Sequence, residues 1–155
     1  MSTVQQLEVR RALPDEAGAI RDLVRAAYAK WVPVIGREPL PMQADYGRAL
    51  REHEIDLLCE GGRLLGLIET VLRPDHLWIE NVAVDPEQQG RRLGRHLLAH
   101  AEAKAAAAGL TELRLLTNEA FATNVALYRK IGYRIDRLEP FQGGTTVYMS
   151  KQVER

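Results

Sequence analysis

The chain has little of what marks a secreted, membrane-bound or nucleic-acid-binding protein. It holds one cysteine, Cys59, in 155 residues, which excludes disulfide and zinc-thiolate frameworks within a single chain. Cys59 lies in the apolar run Ile55-Asp-Leu-Leu-Cys59, where a buried core thiol is expected. There is no excess of charge, since 21 Lys and Arg face 21 Asp and Glu. No overall field therefore draws the chain to nucleic acid or to an anionic membrane, and basic residues matter only locally. No apolar run approaches the length of a bilayer span, and Met1-Ser-Thr-Val-Gln-Gln6 lacks the apolar core of a secretion signal. A cytoplasmic location is the expectation. Internal repeats and low-complexity linkers are also missing, and the length suits one domain, residues 1–155, with a sizeable core.

What is present is a regular alternation of short elements. Leu7 to Ala12 reads as a strand, with Asp15 and Glu16 at a helix start. Ile20, Leu23, Val24, Ala27, Tyr28 and Trp31 recur at three- and four-residue steps, predicting a helix that ends near Val32. Pro33, Gly36, Pro39 and Pro41 break the pattern before a shorter helix from about Gln43 to Arg51. Ile55–Glu60 and Arg63–Leu72 read as a hairpin closed by Gly61-Gly62, and a further strand runs from His76 to Val84. A long helix follows from Leu93 to Ala108, stopped by Gly109, then a strand from Leu113 to Thr117. Val125, Leu127, Tyr128 and Ile131 mark a helix closed by Gly132, and Tyr133–Leu138 and Thr145–Lys151 form a last pair of strands around Gly143-Gly144. Hairpins mixed with crossover helices predict an α/β (α+β) domain with a mixed, mostly antiparallel sheet of about six to seven strands and about four helices.

The densest signal is Val82-Ala-Val-Asp-Pro-Glu-Gln-Gln-Gly-Arg-Arg-Leu-Gly94, a strand leading through a glycine-bearing basic turn into a helix. The first N–H groups of a helix lack intrahelical acceptors and carry partial positive charge, so a pyrophosphate can satisfy them. Gly90 and Gly94 allow close approach, and Arg91, Arg92 and Arg95 add charge. An ordinary basic strand-to-helix connection would look similar. Nucleotide-triphosphate and dinucleotide fingerprints fit poorly, because no Gly-Lys-Ser/Thr ending follows and the glycine spacing differs.

Together with Asn124-Val-Ala-Leu-Tyr-Arg-Lys-Ile-Gly-Tyr133, this order of elements resembles the GNAT superfamily of acyl-CoA-dependent N-acyltransferases, over nearly the whole chain. The resemblance implies acetyl-CoA as acyl donor, no metal, and an amine acceptor that is a small molecule or a peptide. It also implies that Val82, Ala83 and Val84 flank the pantetheine arm and that Gln89, Gly90, Arg91, Arg92, Leu93, Gly94 and Arg95 hold the pyrophosphate. The family writes this loop Gln/Arg-x-x-Gly-x-Gly/Ala, so Arg92 stands where its first glycine belongs. An arginine with ordinary helical angles there would still donate its N–H. Many members also place an asparagine where this chain has Phe121. Asn124, one turn on, and Asn118 are then the candidates for the pantetheine arm, or they merely cap the turn.

Acyl transfer from a thioester to an amine needs the amine neutral, and deprotonating a lysine-like amine at pH 7 costs roughly 4 to 5 kcal/mol. Glu80 has the strand parity of Val82 and Val84, which makes it the first candidate base, with His76 or a water relay as alternatives. Resemblance assigns the general-acid role to Tyr128, whose phenol near pKa 10 can protonate a thiolate near 8.5 at small cost. Without the motif, the same tyrosine would read as core. His96 and His100 have metal-ligand spacing but no third ligand nearby, so a polar helix face is expected. In the resembling family the early helices and their loop line the acceptor pocket, which singles out Tyr28, Trp31 and Met42, with Val34, Ile35, Arg37, Glu38 and Tyr46 beside them. Glu139-Pro-Phe-Gln-Gly-Gly144 either closes the other wall or supports a homodimer. A non-catalytic acyl-CoA-binding regulatory module is the alternative to an N-acetyltransferase.

Overall fold

The computed structural model describes residues 6–154. Seven strands form one sheet in the order β1-β2-β3-β4-β5-β7-β6. They are β1 (Leu7–Arg11), β2 (Glu54–Glu60), β3 (Arg63–Leu72), β4 (Leu77–Val84), β5 (Glu112–Asn118), β6 (Arg134–Phe141) and β7 (Gly144–Gln152). Every neighbouring pair is antiparallel except β4 with β5, which is parallel. That one parallel contact is forced by the helical crossover between the two strands, as parallel neighbours require. The β2–β3 hairpin turns at Gly61 and Gly62, both at positive φ. The last hairpin turns one residue earlier than expected, at Gln142 and Gly143, which both have positive φ as the right-handed twist of paired strands requires.

Helix α1 (Ala17–Tyr28) continues as a tight turn at Ala29–Trp31 and one further turn, α2 (Val32–Ile35). It thus reaches beyond Val32, because Pro33 sits in the first turn of α2, where a missing N–H breaks no bond. Helix α3 (Tyr46–Glu52) starts later than the expected Gln43, where Asp45 caps it by accepting from the Arg48 N–H at 3.1 Å. Helices α4 (Leu93–Ala107) and α5 (Ala122–Ile131) complete the chain.

The sheet divides the core into two. On one face Leu65, Ile68, Leu77 and Ile79 pack against Leu93, Leu97, Leu98 and Ala101 of α4 and Tyr128 of α5. On the other Ile55, Leu57, Cys59 and Leu67 meet Ile20, Leu23 and Val24 of α1 and Tyr46 of α3. Cys59 is a buried thiol, as expected. Gly66 lets α4 lie close to the sheet, since a Cβ there would come 2.9 Å from the Ala83 carbonyl and 3.2 Å from Leu97.

A carboxylate hub ties α4 to the outer strands. Asp56, 5 % exposed, accepts from Arg11 Nε at 2.8 Å, from His100 Nε2 at 3.0 Å and from Lys104 Nζ at 3.0 Å. Lys104 also reaches Thr70 Oγ1 at 3.1 Å and pairs with Glu54. Burial pushes the Asp56 carboxyl upward, but these three donors outweigh it and hold it below the ordinary range. His100 is therefore half-buried against β2 and not on a solvated helix face, whereas His96 is exposed.

Candidate active site

Parallel pairing of β4 with β5 ends at Ile79↔Leu115. Past that point β4 stays paired with β3 as far as Val84, and β5 with β7 as far as Asn118, while the two strands separate from each other. The backbone edges facing across this splay lack a ladder partner, and unpaired strand edges accept the amide groups of an extended ligand. A cleft opens there between Ile79–Val82 and Leu115–Asn118, walled by Tyr28, Arg37, Phe121, Asn124, Tyr128 and Phe141.

The β4 register carries a bulge at this cleft, passing from Glu69↔Asn81 directly to Thr70↔Ile79. Glu80 is the extra residue, and its insertion breaks the alternation on which its expected parity rested. Leu77 and Ile79 before it, and Val82 and Val84 after it, pack toward α4. Glu80 instead shares the side of Trp78, whose indole N–H donates to its carboxylate at 2.7 Å. Glu80 nevertheless lines the cleft, now as an exposed carboxylate with one fixed oxygen. His76 precedes β4, its Nδ1 2.7 Å from Asp75, and is not among the cleft-lining residues.

Asn81, on the other side of the bulge, is buried in a polar chain. It accepts from the Tyr28 hydroxyl at 2.7 Å and donates to Tyr46 Oη at 3.3 Å, and Tyr46 donates to the Pro41 carbonyl at 2.6 Å. Glu69, opposite Asn81 on β3, lies 2.6 Å from His53 Nδ1. Burial raises the Glu69 carboxyl above its ordinary value despite that partner. This chain fixes the back wall and escaped sequence reasoning, because its members come from α1, α3, β3 and β4.

Tyr128 faces the cleft from α5 and stands edge-to-face with Tyr133, ring centres 5.8 Å apart. Its phenol is pushed up to about 12 by burial, so it stays protonated at neutral pH. Full proton transfer to a thiolate near 8.5 would then cost roughly 5 kcal/mol, more than an unperturbed phenol would require. The hydroxyl is accordingly suited to donate a hydrogen bond to a developing thiolate. Asn118 and Asn124 also line the cleft. Asn118 Oδ1 caps its turn by accepting from the Ala120 N–H at 2.9 Å, while the Asn124 amide has no partner among the described residues. Phe121 stacks on Trp31 at 4.8 Å and meets Tyr28 edge-on at 6.4 Å, joining α5 to the α1 side.

At the start of α4, Gly90 has φ +85° and Arg92 has φ 59°, ψ 31°. Arg92 is thus left-handed and not helical, the conformation that explains a glycine at this loop position and that an L-residue adopts at a cost. It provides no side-chain cap, so the first N–H groups of α4 are open to an anion. Arg91 is engaged by Glu60 at 2.6 Å and Gln88 at 2.8 Å, whereas Arg92 and Arg95 have no carboxylate partner among the described residues. Gly94 adjoins α5, since a Cβ there would lie 3.3 Å from Leu127, which brings the loop next to Tyr128. The loop, the open strand edge and the buried phenol together fit a long phosphorylated thioester.

Of the remaining predicted residues, Val82 lines the cleft, while Ala83 is buried toward α1 and α3, and Val84 packs toward α4. On the acceptor side Tyr28 lines the cleft. Trp31 and Met42 are buried behind it, at 9 % and 6 % exposure. Phe141 and Thr146 place the last hairpin on the opposite wall. Among the described residues no helix is long and apolar enough to cross a membrane.

This order of elements around a splayed parallel pair recurs in solved structures. The PaiA N-acetyltransferase of Thermoplasma acidophilum, solved in complex with coenzyme A, superposes with a TM-score of 0.82 at 16 % identity, covering 95 % of this chain and 99 % of that one. The ribosomal-protein-S18-alanine N-acetyltransferase of Escherichia coli gives 0.74 at 19 % identity, over 97 % and 96 % of the two chains. At these identities the likeness is one of fold. An IAA acetyltransferase of Azospirillum brasilense is 44 % identical over 55 residues, which is 36 % of this chain and 36 % of that relative. A family model spans residues 19–133, from α1 through the basic loop and Tyr128 to Tyr133. By that match, which takes in both strands of the splay and helices α4 and α5, the chain belongs to the acetyltransferase (GNAT) family.

Proposed function

We propose that this protein is an N-acetyltransferase that moves the acetyl group of acetyl-CoA directly to a primary amine of a small molecule or peptide. The observation that carries the reading is the splay itself. The parallel ladder stops at Ile79↔Leu115, and Glu80 and Tyr128 both face the gap beyond it. Acetyl-CoA supplies an activated acyl group on a thiol leaving group. The open β4 edge near Val82 holds the pantetheine and offers a backbone N–H to the thioester oxygen, where preorganised donors are most effective. Gln89 to Arg95 take the pyrophosphate, and Asn124 is free to contact the arm. Glu80, fixed by Trp78 and open to solvent, accepts a proton from the incoming ammonium, directly or through water. Tyr128 donates a hydrogen bond to the departing sulfur.

The experiment has two stages. Acetyl-CoA at about a hundred times its dissociation constant is expected to add roughly 2.7 kcal/mol to stability, read as a thermal shift. Acetyl-CoA is then offered with a panel of amines, and free thiol is followed. Binding with no amine-dependent thiol release would favour the non-catalytic acyl-CoA-binding module, and no thermal response would remove both readings.

A further inference from the structure

One cation in the cleft has no counter-ion among the described residues. Arg37 lines the cleft, and its Nε is buried without a hydrogen-bond partner. Its Nη1 reaches only the carbonyl of the neighbouring Glu38, at 3.5 Å, at the limit of a hydrogen bond. The adjacent Glu38 is not its counter-ion, because that carboxylate is taken by Arg25 Nη2 at 2.8 Å. Among the described residues Arg37 makes no ion pair. A buried donor left unmade is costly, so a ligand that completes it gains both a charge-assisted bond and relief of that cost.

The loop that presents Arg37 is held in place before any ligand arrives. Gly36, at φ +75°, ends α2 in a left-handed turn that a side chain would strain. Arg25 clamps the loop from outside, donating to the Met42 carbonyl at 3.0 Å as well as to Glu38. Pro39 and Pro41 stiffen it, and Tyr46 anchors the Pro41 carbonyl at 2.6 Å. From the far wall the Phe141 ring lies 5.7 Å from the guanidinium, within cation–π range. The same cleft is lined by one residue of opposite charge among those described, the exposed Glu80 carboxylate. The cleft also offers apolar surface from Ile35, Leu40 and Leu116, beside the polar Thr117, Asn118 and Thr146.

Building on the acetyl-transfer reading, we infer that Arg37 is the anion-binding residue of the acceptor pocket. The acceptor is then a primary amine that also carries a carboxylate, with an apolar body between the two. The amine lies toward Glu80 and the thioester, and the carboxylate takes the planar fork of Arg37, which suits two parallel bonds.

The test uses leucine, methionine and phenylalanine, each paired with its carboxamide, as acceptors for the full-length protein and its Arg37→Gln and Arg37→Lys variants. Carboxamides have the more nucleophilic amine at neutral pH, so the decisive quantity is the ratio of kcat/KM for acid to that for amide. Arg37→Gln is expected to lower this ratio about 10- to 100-fold through the KM of the acid. Arg37→Lys recovers part of it, and acetyl-CoA affinity stays unchanged. Equal losses on acid and amide, or no change in the ratio, overturn the inference. Calorimetric titration of N-acetylmethionine and its amide in the presence of coenzyme A separates the two readings. Carboxylate-dependent binding that Arg37→Gln abolishes supports the anion site even where no amine releases thiol, in which case acetyl transfer fails alone. Native protein that prefers neither probe removes the anion site even where transfer proceeds.

Discussion

Asp56 and Arg37 are both charged side chains with buried polar atoms, yet one is surrounded by cationic partners and the other has no ion-pair partner among the described residues. Asp56 collects donors from a strand and from two turns of α4. Arg37 sits in a cleft wall while its neighbour Glu38 turns away to Arg25. Desolvated charge is costly unless it is paired, so an unpaired one persists where something from outside is to pair with it. The contrast separates charge that holds the fold from charge kept for a ligand.

The largest expected effect breaks the holding side of this contrast. Asp56→Asn leaves Lys104 and His100 facing a weak acceptor, and it should lower stability by about 3 kcal/mol in urea unfolding. Arg37→Gln removes a partly desolvated charge that has no ion-pair partner among the described residues, so it should not lower stability. Equal losses from the two substitutions would erase the distinction.

Next in size is an effect on chemistry without an effect on folding. Tyr128→Phe removes a hydroxyl that makes no hydrogen bond among the described residues, so the fold and acetyl-CoA affinity should be preserved. Turnover should fall about 10²-fold, as it does when one preorganised hydrogen-bond donor to developing negative charge is removed. An unchanged turnover number would take Tyr128 out of the reaction.

Acid titration distinguishes the two kinds of charge as well. Glu16, bonded twice by Arg10, is held at about 2, below its ordinary 4.5, and Asp56 is also held below its ordinary value. A carboxyl whose folded value is depressed adds stability above its unfolded value and loses it as pH falls through the folded one. Unfolding midpoints should therefore decline between about pH 4.5 and about pH 2. Because the Glu16 pair is partly solvated, at 38 % and 22 % side-chain exposure, its share should be about 1 kcal/mol or less. Asp56→Asn should flatten the decline, and Arg37→Gln should not alter it.

How far this was readable in the sequence follows the same division. The hairpins and the α4 stripe came from local periodicity and glycine pairs, and every strand appears close to its expected place. The basic loop and Tyr128 were legible because their residues are contiguous or stand in one motif. The Glu80 bulge was not, since an inserted strand residue leaves no mark on composition and reverses the face of what precedes it. Nor was the isolation of Arg37. Arg37-Glu38 reads as a neutral pair, and only the folded chain shows Glu38 reaching back 13 residues to Arg25. Tyr28, Asn81 and Tyr46 form one polar chain although 53 residues separate the first from its nearest partner.

The smallest expected effect repeats the contrast within the basic loop. Arg91 is engaged by Glu60, while Arg92 has no carboxylate partner among the described residues and is held at positive φ. A non-glycine residue in that region costs about 1–2 kcal/mol, part of which glycine returns through its more flexible unfolded chain. Arg92→Gly should therefore stabilise the free protein by about 0.5 kcal/mol. Arg92→Asn removes the same charge but only tolerates the left-handed turn, so it should fall between the native protein and the glycine variant. If both variants bind acetyl-CoA equally and more weakly than the native protein, the guanidinium contacts phosphate and outweighs the strain it imposes. If the glycine variant binds as well as the native protein, the backbone N–H groups suffice and Arg92 is a tolerated departure from the loop's usual glycine.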